Sequence, residues 1–198
     1  VPTPALLKDA ESYASGPYLA DLLKGPSDAA AVARMTERVA PLVGLDAALV
    51  RAQAARLSTR SVQREIDRAE GRVTSAYDTG ITGWDPNPDA AQSSFDDPQL
   101  TALHAPLTSA MLDLYARTLK WPVPNMRYEL LNNAVNRGWS WGSGRQAPEV
   151  LSNLKSTLAL DGRLRVLVAH GFTDLVTPYY ASKLLLAQVP AYGAGRVS

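Results

Sequence analysis

The chain has 198 residues, 46% of them hydrophobic and 20% charged, and a net charge of +1. That is enough for one domain with a real core, and too close to neutral for a general pull toward nucleic acid or anionic lipid. It has no cysteine and only two histidines, His104 and His170, which removes disulfides and thiolates and argues against a histidine metal centre. No apolar stretch approaches a membrane span, so neither membrane nor nucleic acid is an expected partner, no metal or cofactor is expected, and any chemistry must rest on oxygen nucleophiles and carboxylates.

Val1-Pro2-Thr3-Pro4 carries no initiator methionine, basic region or apolar leader, so the sequence is expected to be a segment of a longer polypeptide. Up to about residue 148 it reads as helices. Ser27 is placed to cap one that runs through Val32, Met35, Val39 and Leu42 and closes at Gly44. Asp46 is placed to cap the next, with Leu49 and Val50. A third runs from about Ser61 to Ala69 and stops at Gly71. Arg56, Arg60, Arg64, Arg68 and Arg72 recur every fourth residue, which reads as a solvated face with local ion pairs to Glu65, Asp67 and Glu70.

Residues 79–97 are rich in Gly, Pro, Asn, Asp and Ser and read as one long loop able to border a cleft. Asp97-Pro98 then starts a longer helix with apolar positions Leu100, Leu103, Leu107, Met111 and Leu114, bent at Pro106 and ending before Trp121-Pro122. Tyr128 to Val135 is a predicted shorter helix, Gly138 to Gly144 a loop, and Pro148 to Leu158 a further helix. From 149 onward the pattern changes. Leu164 to Ala169 is a short apolar run expected as a parallel strand buried on both faces, Gly171 turns the chain out of the sheet, and Asp174 falls just past the strand's C-terminal end, where α/β enzymes keep catalytic carboxylates. Thr177 is placed to cap a helix with Pro178 at its first position, running to Pro190. Arg196-Val197-Ser198 then falls where a neighbouring strand should begin.

Gly138-Trp139-Ser140-Trp141-Gly142 fits the Gly-x-Ser-x-Gly pattern of a nucleophile elbow, but the predicted helix before it is the wrong context and no histidine follows Asp174 to complete a triad. Ser140 is therefore not assigned as a nucleophile. Trp139 and Trp141 point to one side of an extended segment, where they either floor a pocket for an apolar substrate side chain or pack in the core. His170 reads as a strand-end residue hydrogen-bonded to a neighbour, and His104 as a mid-helix residue without chemistry. By position alone, Asp174 is either a catalytic carboxylate or a turn residue.

The segment Val168-Ala169-His170-Gly171-Phe172-Thr173-Asp174-Leu175-Val176-Thr177-Pro178-Tyr179 resembles the surroundings of the catalytic Asp in serine carboxypeptidases, the bacterial type especially. Leu42-Val43-Gly44-Leu45-Asp46, Arg64-Glu65, Gly71-Arg72-Val73 with Tyr77-Asp78, Tyr128-Glu129-Leu130-Leu131-Asn132 and Trp139-Ser140-Trp141-Gly142 resemble the helical region of the same family in the same order. The resemblance implies an α/β-hydrolase fold, removal of C-terminal residues from peptides by a Ser-Asp-His triad, and Asp174 as the triad acid. It also implies a periplasmic or secreted setting.

The family's Gly-Glu-Ser-Tyr-Gly-Gly elbow and Gly-Gly-His-Met stretch are not in this sequence. The expectation is thus an α/β fragment: a mainly helical cap over 1–148 and a strand, loop and helix of the core over 149–198. Its partners would be a peptide substrate and upstream and downstream segments of the same polypeptide, and alone it would be catalytically silent. An acyltransferase or esterase of the same fold and a non-catalytic helical binding module stay open beside it.

Overall fold

The computed structural model describes residues 3–121, 128–142 and 149–198. These are mostly helical, with one small antiparallel two-stranded sheet. Pro122, Gly144 and Pro148, assigned from sequence to a helix end, a loop and a helix start, lie outside the described residues, as does the residue before the expected boundary at 148/149. The chain divides into two compact units, Val1–Phe95 and Asp96–Ser198.

The first unit begins with α1 (Pro4–Tyr13), capped by the Thr3 hydroxyl, which accepts the Leu6 N–H at 3.3 Å. A π-helical turn over Ala14–Tyr18 absorbs Pro17 and leads into α2 (Leu19–Leu22). The next helix, α3 (Ala29–Val43), is capped by Asp28 and not by Ser27: the carboxylate accepts the Ala31 N–H at 2.8 Å. Asp28 sits one residue nearer the free N–H groups, and its charge suits the positive helix end. Gly44 closes α3 at φ 75°, where a side chain would be strained, and Asp46 caps α4 (Ala47–Ala52) by accepting from Ala48 and Leu49.

Met35 and Val50 are fully buried and join Val32, Val39, Leu45 and Ala55 in a core that α3 and α4 share. Burying side chains of this size is worth roughly 1.5–3 kcal/mol each, so this cluster accounts for the compactness of the unit. Tyr13, Tyr18 and Leu22 pack against it from the N-terminal helices.

Ser58 caps α5 (Thr59–Glu65), two residues before the predicted start, and the chain passes through a 3-10 turn at Arg68–Glu70. Then β1 (Arg72–Thr74) pairs antiparallel with β2 (Thr82–Trp84), Val73 opposite Gly83. The loop predicted over 79–97 therefore contains a strand. Three residues are too few for an alternating pattern to register, and the pairing depends on a partner outside the window.

In the second unit, Asp97 caps α6 (Pro98–Asp113) by accepting from Gln99 and Leu100. The helix remains α-helical through Pro106 and ends in a π-helical turn over Leu114–Thr118. None of its residues is buried. The helix predicted over 128–135 is instead α7 (Asn133–Gly138), because the Asn132 side chain accepts the Ala134 and Val135 N–H groups and fixes a later start. It is followed by α8 (Leu151–Leu160), α9 (Tyr179–Leu186) and a 3-10 turn at Ala191–Gly193.

Between α8 and α9 the predicted strand is an extended segment with a single parallel bridge, Val166 to Val197. Val166 N–H donates to Arg196 O at 2.8 Å, Ser198 N–H to Val166 O at 3.0 Å and Val168 N–H to Ser198 O at 2.7 Å. The expected burial on both faces is not observed, since Leu167 is 80% exposed. Two short parallel segments joined across a helix is the connectivity of a βαβ unit. No helix among the described residues is long and apolar enough to cross a membrane.

Candidate active-site loop and aromatic groove

The loop after the extended segment is organised by the Asp174 carboxylate. Its Oδ1 accepts the Val176 N–H at 2.7 Å and the Thr177 N–H at 2.9 Å, and its Oδ2 accepts the Thr177 hydroxyl at 2.7 Å. An aspartate that bonds backbone two and three residues ahead closes its own turn, and here the Thr177 hydroxyl closes it from the other oxygen. Thr177 is thereby spent on Asp174 and does not cap α9; Pro178 occupies the cap position with no side-chain bond.

These donors set the charge state. The backbone and hydroxyl of Thr177, then the Val176 N–H and the field of His170, hold the Asp174 carboxyl below its ordinary range against the opposing effect of burial. Asp174 is ionised at neutral pH, and the oxygen that takes the Thr177 hydroxyl retains lone-pair capacity for a further donor.

The Nδ1 of His170 lies 3.1 Å from the Thr177 carbonyl. A carbonyl only accepts, so this contact places a proton on Nδ1. His170 is the strand-end residue bonded to a neighbour that its position predicts, and its bond goes to Thr177 and not to Asp174. Phe172 packs edge-on against Tyr179 with ring centres 5.1 Å apart, tying the loop to the first turn of α9. A cavity of about 540 Å³ lies beside the loop, with His170, Phe172, Tyr179 and Val197 in its wall.

Trp139 and Trp141 follow the C-terminus of α7 and are 61% and 57% exposed, so neither is a core residue within the described chain. Both line one open groove of about 430 Å³ with Leu131, Val135 and Asn136. The two residues share a mainly apolar groove with amide groups at hand. Among the described residues none lines both this groove and the cavity walled by His170 and Phe172, and Asp174 lines neither. Ser140, between the two Trp residues, follows a helix and not a strand, so the elbow geometry is absent there. Among the described residues no group of three carboxylate, histidine or cysteine side chains could hold a metal ion.

Sequence reasoning missed a dense polar arrangement around α5. Of the arginines read as a solvated face with local ion pairs, Arg56 and Arg60 are exposed and Arg68 pairs with Glu65 at 3.1 Å, but Arg60, Arg64 and Arg68 also hold residues 85–95. Arg64 and Asp85 are both buried, 3.4 Å apart, and Arg60, Arg64 and Arg68 donate to carbonyls of that loop. The signal was the fourth-residue spacing itself, which puts these guanidiniums on one side of α5 and its continuation. A loop rich in Pro and Ser offers bare carbonyls to such a row.

No protein-family model, no curated protein and no solved structure matches this chain.

Proposed function

We propose that this chain supplies the triad acid and part of the substrate cleft of a serine carboxypeptidase-like hydrolase. The observation that carries the reading is the placement of Asp174: an ionised carboxylate fixed by three donors on a short loop, immediately after an extended segment that pairs in parallel with residues 196–198 across α9. A triad acid needs these properties. It must stay charged, hold one orientation and keep a lone pair for the imidazole. Asp174 would accept the Nδ1–H of a histidine supplied from outside residues 1–198 and stabilise the imidazolium formed as the nucleophilic serine loses its proton, without taking that proton itself. The indole groove at Trp139 and Trp141 would receive an apolar side chain of the peptide. The same triad transfers an acyl group to an alcohol as readily as to water, so the class of acceptor is part of the test.

The test is Asp174→Asn in the complete polypeptide, assayed on one peptide substrate with and without an alcohol acceptor. The amide keeps the shape and favours the wrong histidine tautomer, and turnover should fall by about 10⁴-fold with an unchanged circular dichroism spectrum. Thr173→Ala and His170→Ala, neither of which is assigned to the triad, should each cost about tenfold or less. Near-normal turnover of the Asp174→Asn protein would remove Asp174 from the triad and the reading with it.

A further inference from the structure

We propose that residues 85–95 form a latched strap, held on α5 chiefly by the Arg64 guanidinium, which opens as a unit while the α3 and α4 core stays folded. The strap is built inside out compared with an ordinary folded segment. Asn87, Ala90, Ala91, Gln92 and Ser94 face solvent, and the backbone carbonyls face the protein. Apolar burial therefore contributes little to holding it.

What holds it is a row of forked cations. Arg64 donates to the carbonyls of Ala90 and Ala91, the latter at 2.8 Å, and lies 3.4 Å from the Asp85 carboxylate. Arg68 donates to Pro88 O at 3.0 Å and Ala90 O at 2.8 Å. Arg60 reaches Ser93 O and Phe95 O, both at 3.2 Å, and stacks on the Phe95 ring. Of the three, Arg64 is the one withdrawn from solvent, with only 9% of its side chain exposed against none of Asp85's. Asp85 in turn accepts the Ser93 hydroxyl and the Asn87 N–H, so it ties both ends of the strap to the same guanidinium. A planar fork that satisfies several acceptors at once cannot be replaced by a lysine, which carries a point charge on a thinner stem.

The junction of α5 with β1 is polar as well. Gln63, Thr74 and Ser75 are buried, Gln63 donates to the Thr74 carbonyl at 3.2 Å, and the buried Thr74 hydroxyl has no hydrogen-bond partner. Opening would give Arg64, Asp85 and the strap carbonyls water in place of protein partners, whereas the apolar core of α3 and α4 would gain nothing from it. The two regions therefore have separate reasons to stay closed, which makes a local opening possible.

The experiment uses the 198-residue chain. Thermolysin cuts before bulky apolar residues, and the Ser94–Phe95 bond supplies a site inside the strap; cleavage there is followed by mass spectrometry beside hydrogen exchange of Val32 to Val39 in α3. Arg64→Lys should raise the rate of strap cleavage by at least about tenfold while α3 exchange stays within about twofold of the parent protein. Arg60→Ala, at the exposed end, should raise it by only about threefold or less. Unchanged cleavage in Arg64→Lys, an equal increase in Arg60→Ala, or α3 exchange that accelerates in step with cleavage would each overturn the proposal. Should Arg64→Lys fail to fold, Asp85→Asn decides, since it removes the buried anion that faces Arg64; no rise in its cleavage would refute the latch.

Discussion

Ala54 and Ala55 both lie in the left-handed region, at φ 50° and 56°, a conformation that costs a residue with a Cβ roughly 1–2 kcal/mol. The turn is held from both sides: the Ala55 N–H donates to Val50 O at 2.8 Å, and the Tyr18 hydroxyl donates to Ala55 O at 2.8 Å. Replacing alanine by glycine at a right-handed position ordinarily costs about 0.5–1 kcal/mol. Here the strain relieved should offset that, so Ala54→Gly is expected to be neutral or stabilising by up to about 1 kcal/mol in urea unfolding. A variant less stable by more than about 1 kcal/mol would show that the turn is unstrained at this position. Nothing in the sequence marks this turn, because two alanines carry no turn signal. Asp174 was legible because an aspartate just past an apolar run is a local pattern. Its dependence on Thr177 was not, since a threonine before a proline reads equally well as a helix cap.

At the scale of the element, caps and terminators were the readable part. Asp46, Gly44 and Asp97 sit where the sequence put them, because each satisfies or frees backbone groups within four residues of itself; Gly71 closes a 3-10 turn, the helix expected to reach Ala69 having ended at Glu65. The misplaced start of α3 arose where Ser27 and Asp28 lay side by side and only geometry chose between them. The run Leu164 to Ala169 shows a different limit. Its apolar character states that the segment suits a buried sheet, and only a neighbouring strand can make it one; among the described residues that neighbour is the short stretch 196–198. Arg196 holds this stretch in place by donating to Leu158 O and Asp161 O, both at 2.7 Å, at the C-terminal end of α8. The Val166 and Val168 amides are hydrogen-bonded yet lie on a segment with an exposed Leu167, so they should exchange well before Val39 in the core of α3. Hydrogen exchange that ranked Val166 and Val168 among the slowest amides of the monomeric chain would contradict this.

Across the whole molecule the two units differ in what they bury. The first has a continuous apolar core, while in the second Leu158 is the one buried hydrophobic side chain among the described residues. The periodicity of α6 reads as an apolar stripe, yet none of its residues is buried; such a pattern specifies a face that suits a partner and not whether one is present. What the units share is a set of carboxylates stabilised in their ionised form. Bonds from Arg34 and Lys24 hold Asp21 far below the usual range, Ser93, Asn87 and Arg64 overcome the opposing effect of burial at Asp85, and Ser152 and Thr177 depress Glu149 and Asp174 respectively. For each, the folded state binds its proton less readily than the unfolded chain. Between the two affinities the unfolded state therefore carries more protons, and stability rises with pH. The contribution is complete above the unfolded carboxylate range, near 4, and is lost as the pH falls through the lower folded values. The urea midpoint should accordingly be flat from about pH 6 to 8 and fall steeply below about pH 4.5. The strap should loosen within that decline, because protonating the buried Asp85 removes the anion that faces Arg64. Fluorescence-monitored unfolding at a series of pH values, with strap cleavage measured on the same samples, reads both. A midpoint that held or rose on acidification would mean that these carboxylates are no better bound in the folded chain than in the unfolded one.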